Sequence, residues 1–216
     1  MKNMLTKEET IKVIKILKKL YPDVKSGLNF SNPFELLIST ILSAQCTDKR
    51  VNIITEKLFK KYKKPVDFLE LSNEELQELI KECGLYRNKS KNILKTCEIL
   101  HNKYNDMVPD NMDDLMNLPG VGRKTANVVL SNAFSKQAIA VDTHVYRVSN
   151  RIGIADSKDV LTTEKQLMES IPKDLWSLSH HLLIYHGRNI CTARKPKCEN
   201  CPLNNMCNYY KNKIKN

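Results

Sequence analysis

Three groups of residues in this 216-residue chain have the types and spacing to do chemistry. Lys124 follows the break Leu118-Pro119-Gly120-Val121-Gly122-Arg123 and stands where an amphipathic run to Phe134 begins. Its amine therefore lies in the first turn of a helix, where it can contact an anion or, once neutral, act as a nucleophile. A free lysine amine is neutral in only about one molecule in 2,000 near pH 7. A helix N-terminus and exclusion of water both disfavour an ammonium, the direction a nucleophilic amine needs, whereas a facing carboxylate favours it. Asp142 follows the apolar Ile139-Ala140-Val141 and precedes Val145, Val148 and Ile152 at helical spacing. It can cap that helix or offer its carboxylate to a positive charge. Cys191, Cys198, Cys201 and Cys207 form C-x6-C-x2-C-x5-C, four thiols close enough along the chain to hold metal. Spacing alone leaves zinc and an iron–sulfur cluster both open.

The elements around Lys124 read as helix, tight hairpin, helix. Asp113, Leu115, Met116 and Leu118 precede the break, and Ala126, Val129, Leu130, Ala133 and Phe134 follow it at helical spacing. Gly120 and Gly122 let the backbone bend hard and approach a ligand closely. Unpaired amides at the start of the second helix make an anion site. With a formal net charge of +11, and cations spread along the chain, the expected anion is a nucleic-acid phosphate.

Seven cysteines without a targeting peptide argue against a disulfide framework. Cys46, Cys83 and Cys97 sit among apolar neighbours and are expected as small core residues. No apolar run approaches the ~18 residues of a membrane span.

Taken in order, the chain is a series of helices. Thr6-Lys7-Glu8-Glu9 has the form of a capping box before a stripe of Val13, Ile16, Leu17 and Leu20, ended at Tyr21-Pro22. Asn32-Pro33-Phe34-Glu35 starts a helix that is apolar on most sides to Leu42, and so central to a domain. That helix ends in the polar tip Ser43-Ala44-Gln45-Cys46-Thr47-Asp48. Helices are expected over Val51–Tyr62, from the cap Ser72-Asn73-Glu74-Glu75 to Gly84, and over Asn88–Tyr104. Leu85 lies in the loop Gly84-Leu85-Tyr86-Arg87, by itself an ordinary buried loop leucine. No segment shows sustained two-residue alternation, so the fold class is all-α.

The run Leu118-Pro119-Gly120-Val121-Gly122-Arg123-Lys124-Thr125-Ala126, then Val141-Asp142-Thr143-His144, then the four cysteines, resembles the endonuclease III family, helix-hairpin-helix DNA glycosylases of base-excision repair. The resemblance runs from about Leu28 to Tyr209. It implies two helical lobes with the active site in the cleft between them: a helical barrel with the hairpin over residues 26–136, and a discontinuous iron–sulfur domain of residues 1–25 and 137–216. It implies a bifunctional glycosylase and AP lyase that removes oxidised or ring-damaged pyrimidines, with Lys124 as nucleophile and Asp142 as catalytic carboxylate. A [4Fe–4S] cluster on Cys191, Cys198, Cys201 and Cys207 follows from the same likeness. So does DNA contact through Leu118, Gly120, Val121, Gly122 and Arg123, with Gln45 filling the gap left by an extruded base and Leu85 wedged into the stack. Cys46, after Gln45, departs from the small residue or threonine usual in the family. Arg194 and Lys195, in the loop between the first two cysteines, would face phosphates. Double-stranded DNA with damaged bases or abasic sites is the implied partner, and a cytoplasmic, nucleoid-associated monomer is expected. An adenine-mismatch glycosylase of the same fold is the nearest alternative, expected to lack a lysine at position 124. A non-catalytic hairpin module is the alternative from another class.

Overall fold

In a computed structural model, which describes residues 4–215, every regular element is helical among the described residues. The chain divides into two compact units: Ser26–Lys136, and the residues up to Lys25 together with those from Gln137 onward. The first helix, α1 (Lys7–Leu20), belongs to the discontinuous unit. Thr6 caps it in a full capping box with Glu9, and Val13, Ile14 and Leu17 are buried.

The continuous unit holds α2 (Pro33–Ser43), α3 (Asp48–Lys61), α4 (Pro65–Phe68), α5 (Asn73–Ile80), α6 (Tyr86–Tyr104), α7 (Met112–Met116) and α8 (Arg123–Ala133). Asn32 caps α2, and every residue from Leu36 to Leu42 is buried, because this helix meets α3, α6 and α8 on different sides. One core runs from Leu28 through Leu37, Phe68, Ile93 and Leu115 to Leu130.

Three helix ends differ from the expected ones. Helix α3 begins at Asp48 rather than Val51, because the Thr47 side chain accepts from Arg50 N. Helix α5 stops at Ile80 rather than Gly84, so residues 81–85 form a turn before α6. That helix starts at Tyr86, two residues earlier than its pattern suggested, after Leu85 in the left-handed region.

The discontinuous unit continues with α9 (Thr143–Ile152), α10 (Val160–Ser170), a single 3-10 turn at Lys173–Leu175, α11 (Trp176–Asn189) and α12 (Asn208–Lys215). Helices α9 and α11 are its principal pair. Its core gathers Leu17, Val145, Val148, Ile152, Leu167, Leu182, Leu183 and Leu203. No helix of the described residues is long and apolar enough to cross a membrane.

Candidate nucleic-acid interface and metal centre

In the continuous unit, the hairpin joins α7 to α8. Leu118 (2 % exposed) and Val121 (6 %) point into the core. Their main-chain N–H groups donate to Leu115 O and Leu118 O, both at 3.1 Å, so the outward donors of the turn are those of the two glycines. Gly120 has φ +78°, the left-handed region, and a Cβ there would meet the Asn92 side chain at 3.0 Å. Gly122 differs from expectation. Its φ of −93° and ψ of 177° are ordinary extended values, so the bend does not need glycine there. Its open side does matter, because an added Cβ would meet nothing within 4 Å. Gly122 is the N-cap of α8 and provides no side-chain cap, and the N-terminal end of a helix favours an anion. Lys124 is exposed in that first turn, beside exposed Arg123, and makes no hydrogen bond or ion pair with other described residues.

Gln45 and Leu85 stand out by conformation. Both are non-glycine residues with positive φ, +53° and +60°, a strain that ordinary loops avoid. Both are exposed, Leu85 by 53 %, so the plain reading of Leu85 as a buried loop leucine is corrected. The two loops touch: a Cβ on Gly84 would lie 3.0 Å from Gln45 O, and Cys46 Sγ lies 3.8 Å from Cys83 Sγ. Arg50 and Glu82 form an ion pair across the same junction. Cys83 and Cys97 are buried as expected, Cys46 only partly. Burial pushes the Cys83 thiol up to about 12.

Sequence patterning overlooked Lys89. It is 4 % exposed, and its ammonium donates to Leu42 O at 2.8 Å and Ala44 O at 2.6 Å. Burial lowers its pKa, while the Cys83 and Cys46 thiols pull it back. Its position one turn before Ile93, on the stripe that continues through Cys97 and Leu100, was the available signal.

In the discontinuous unit, Asp142 is the N-cap of α9. Its Oδ1 accepts from His144 N and Val145 N, both at 2.8 Å, while Oδ2 accepts from no described residue. The His144 pKa is lowered by burial, and its Nδ1 accepts from Arg147 Nη2 at 3.1 Å, an orienting contact.

Further along α9, Arg147 Nε donates to Cys191 O at 3.1 Å. Arg151 Nη1 donates to Thr192 O at 2.7 Å and its Nη2 to Ala193 O at 3.0 Å. These two arginines hold the start of the cysteine loop; motif spacing had not singled them out. Arg194 and Lys195, at the loop's tip, are exposed.

Cys191, Cys198, Cys201 and Cys207 line one partly open hollow, walled by Ile152, Ile190, Leu203 and Tyr209. Burial pushes the Cys201 thiol up to about 11, and the other three thiols push it the same way; a bound metal would supply the positive charge that converts such thiols to thiolates. Among the described residues no three His, Cys, Asp or Glu side chains converge as the ligands of one ion would. Four cysteines around one hollow are the donor set that an iron–sulfur cluster takes, and the residues present fit that group.

Comparison with known proteins agrees with this geometry. Residues 38–173 match the HhH-GPD superfamily of base excision DNA repair proteins, and residues 191–207 match the iron–sulfur binding domain of endonuclease III. The chain is 54 % identical over 189 residues to endonuclease III of Bacillus subtilis (strain 168), covering 87 % of this chain and 86 % of that one. The chain belongs to the endonuclease III family. Against endonuclease III of Escherichia coli (strain K12) it is 45 % identical over 205 residues, 95 % of this chain and 97 % of the relative. A solved structure of a trapped endonuclease III–DNA covalent intermediate superposes with a TM-score of 0.93 at 50 % identity, covering 98 % of this chain and 100 % of that chain. A non-covalent endonuclease III–DNA complex superposes equally well, at 99 % and 100 % coverage. As a member of the endonuclease III family, this chain is a base-excision-repair DNA glycosylase with lyase activity, its partner is DNA and its cofactor is an iron–sulfur cluster.

Proposed function

We propose that this enzyme removes oxidised or ring-damaged pyrimidines from duplex DNA and cuts the strand 3′ to the abasic site, with Lys124 as its nucleophile. The observation that carries this is Lys124 itself: an exposed amine without a partner among the described residues, in the first turn after an uncapped, glycine-opened hairpin. A damaged base inside the stack is out of reach, so the target nucleotide must leave the helix. Gln45 and Leu85, exposed and held in the left-handed region, are suited to enter the space it leaves. The main-chain amides of Gly120 and Gly122, with Arg123, bind the flanking phosphates; Pro119 has no N–H, and those of Leu118 and Val121 already donate to Leu115 O and Leu118 O.

The neutral Lys124 Nζ attacks C1′, and the electron pair of the glycosidic bond departs with the base, which takes up a proton. Asp142 offers its carboxylate to the positive charge that develops on the sugar and assists the proton transfers. Opening of the C1′–O4′ bond leaves an imine between Nζ and C1′. Loss of a C2′ proton then expels the 3′ phosphate, and hydrolysis of the imine frees the enzyme. Cys191, Cys198, Cys201 and Cys207 hold a [4Fe–4S] cluster that shapes the loop carrying Arg194 and Lys195 toward DNA. The protein works as a monomer, in the cytoplasm at the nucleoid.

Borohydride reduces an imine to a stable amine, so wild-type enzyme should be captured covalently on a lesion-bearing duplex. Lys124→Gln keeps the approximate side-chain length without the amine and should bind but neither be captured nor cut. Efficient capture of Lys124→Gln through another lysine would overturn this assignment.

A further inference from the structure

Residues that wedge a DNA stack must resist being pushed back, and neither Gln45 nor Leu85 has intrinsic stiffness. A non-glycine residue in the left-handed region is sterically disfavoured, so each needs a restraint. The last carbonyls of α2 show where one comes from. Ser43 Oγ donates to Thr40 O, and Cys46 N donates to Ser43 O. Leu42 O and Ala44 O would otherwise be orphans at the negative end of the helix; both are taken by the Lys89 ammonium, at 2.8 Å and 2.6 Å. Ala44 O belongs to the peptide that leads into Gln45. On the other side, the main-chain N–H of Lys89 donates to Leu85 O at 3.1 Å. One residue is thus bonded to both loops, through its side chain to the first and its backbone to the second. The Gly84–Gln45 approach and the Cys46–Cys83 contact close the same junction.

We propose that Lys89 is a positioning residue that makes Gln45 and Leu85 one rigid element and holds it in the shape that enters the DNA stack. The inference rests on the functional reading above, in which Gln45 and Leu85 enter the DNA. Lys89 is almost fully buried, so its side chain acts through the two loops it supports. Its effect falls on extrusion of the base and not on the imine chemistry of Lys124.

Lys89→Met keeps the length and the apolar stem but removes all three donors. Two substrates separate its role from plain structural support. One is a damaged pyrimidine paired within a duplex, which must be extruded; the other is a single-stranded oligonucleotide with a ready-made abasic site, which must not. Cleavage of the duplex should fall about tenfold or more, the scale of losing charge-assisted hydrogen bonds, while cleavage of the single strand stays within about twofold of wild type. In a Gln45→Ala background, Lys89→Met should add much less than it does alone, because the two act through one element. Equal losses on both substrates, or no loss on either, would overturn the proposal. Should Lys89→Met not yield folded protein, Lys89→Gln, which retains donors on a shorter arm, should shift the same ratio in the same direction. Gln45→Ala and Leu85→Ala check the reading beneath it. If both cut the duplex as fast as wild type, the wedge assignment falls and the role of Lys89 with it. If both are slow but the Lys89→Met ratio is unchanged, Lys89 alone is overturned.

Discussion

Asp142 and Arg151 sit at opposite ends of one helix, so the candidate catalytic carboxylate and the clamp on the cysteine loop share a rigid support. Asp142 caps the first turn of α9, and Arg151, in its last turn, holds Thr192 O and Ala193 O. At ~1.5 Å per residue the separation along the axis is roughly 13 Å. Cys207 Sγ completes the connection with a 3.3 Å contact to Arg151 O.

The arginine clamp predicts how the cluster is lost. Arg151→Gln removes the fork that spans Thr192 and Ala193, and each charge-assisted bond contributes about 1.5–3 kcal/mol. The variant should purify with less iron and sulfide per chain and melt at a lower temperature. Full iron content with unchanged melting would show that the loop holds itself.

Asp142 caps α9 and is proposed to serve the reaction, and two substitutions separate these roles. Asparagine is as good an N-cap as aspartate, whereas alanine loses the cap at a cost of about 1 kcal/mol. Asp142→Asn should therefore melt close to wild type yet release damaged bases far more slowly, with DNA binding retained. Asp142→Ala should add the stability loss. Normal base release by Asp142→Asn would leave the residue with capping alone.

The two hairpin glycines should fail in different ways. Gly120→Ala forces a Cβ onto φ +78° and against Asn92, and should cost about 1–2 kcal/mol of stability from the left-handed backbone. Gly122→Ala meets nothing within the protein, so melting should be unchanged. Its methyl group would stand where a phosphate backbone approaches, and DNA affinity should fall. A Gly122→Ala protein with full affinity would remove the hairpin from the interface.

Arg194 and Lys195 are exposed at the tip of a loop fixed by the cysteines and Arg151. If each meets a phosphate, the salt dependence of binding to an uncleavable abasic-site duplex should flatten by about one unit in Arg194→Ala and in Lys195→Ala. Unchanged slopes in both would make this loop an ordinary solvated surface.

Acid should weaken the fold through His181. Burial lowers its pKa from 6.5 in the folded protein, so the unfolded chain takes up a proton that the fold refuses. Stability is then full above about 6.5 and falls with pH down to the folded value. Denaturant melts at pH 7.5 and 5.5 should show this loss, and His181→Gln should reduce it. An identical loss in the variant would assign the acid limb to other groups.

Much of this protein was legible in local sequence because local chemistry sets it. Thr6, Asn32, Ser72 and Asp142 announce helix starts through the backbone amides that their own side chains reach. The hairpin follows from Gly120, and the metal site from four thiols within one short segment. Tertiary structure decided what depends on distant partners. It placed Lys89 under two loops 40 residues apart in the chain, because the carbonyls it satisfies belong to another helix. It made Leu85 an exposed, left-handed residue instead of a buried one. It enlisted Arg147 and Arg151, polar residues of an amphipathic helix, to hold the loop of Cys191. It gathered the four cysteines around one hollow, walled by residues from α9 and α11. Local pattern fixes a residue's secondary structure and its first hydrogen bonds; which orphaned carbonyl, thiol or loop it meets across the core is known only once the helices have packed.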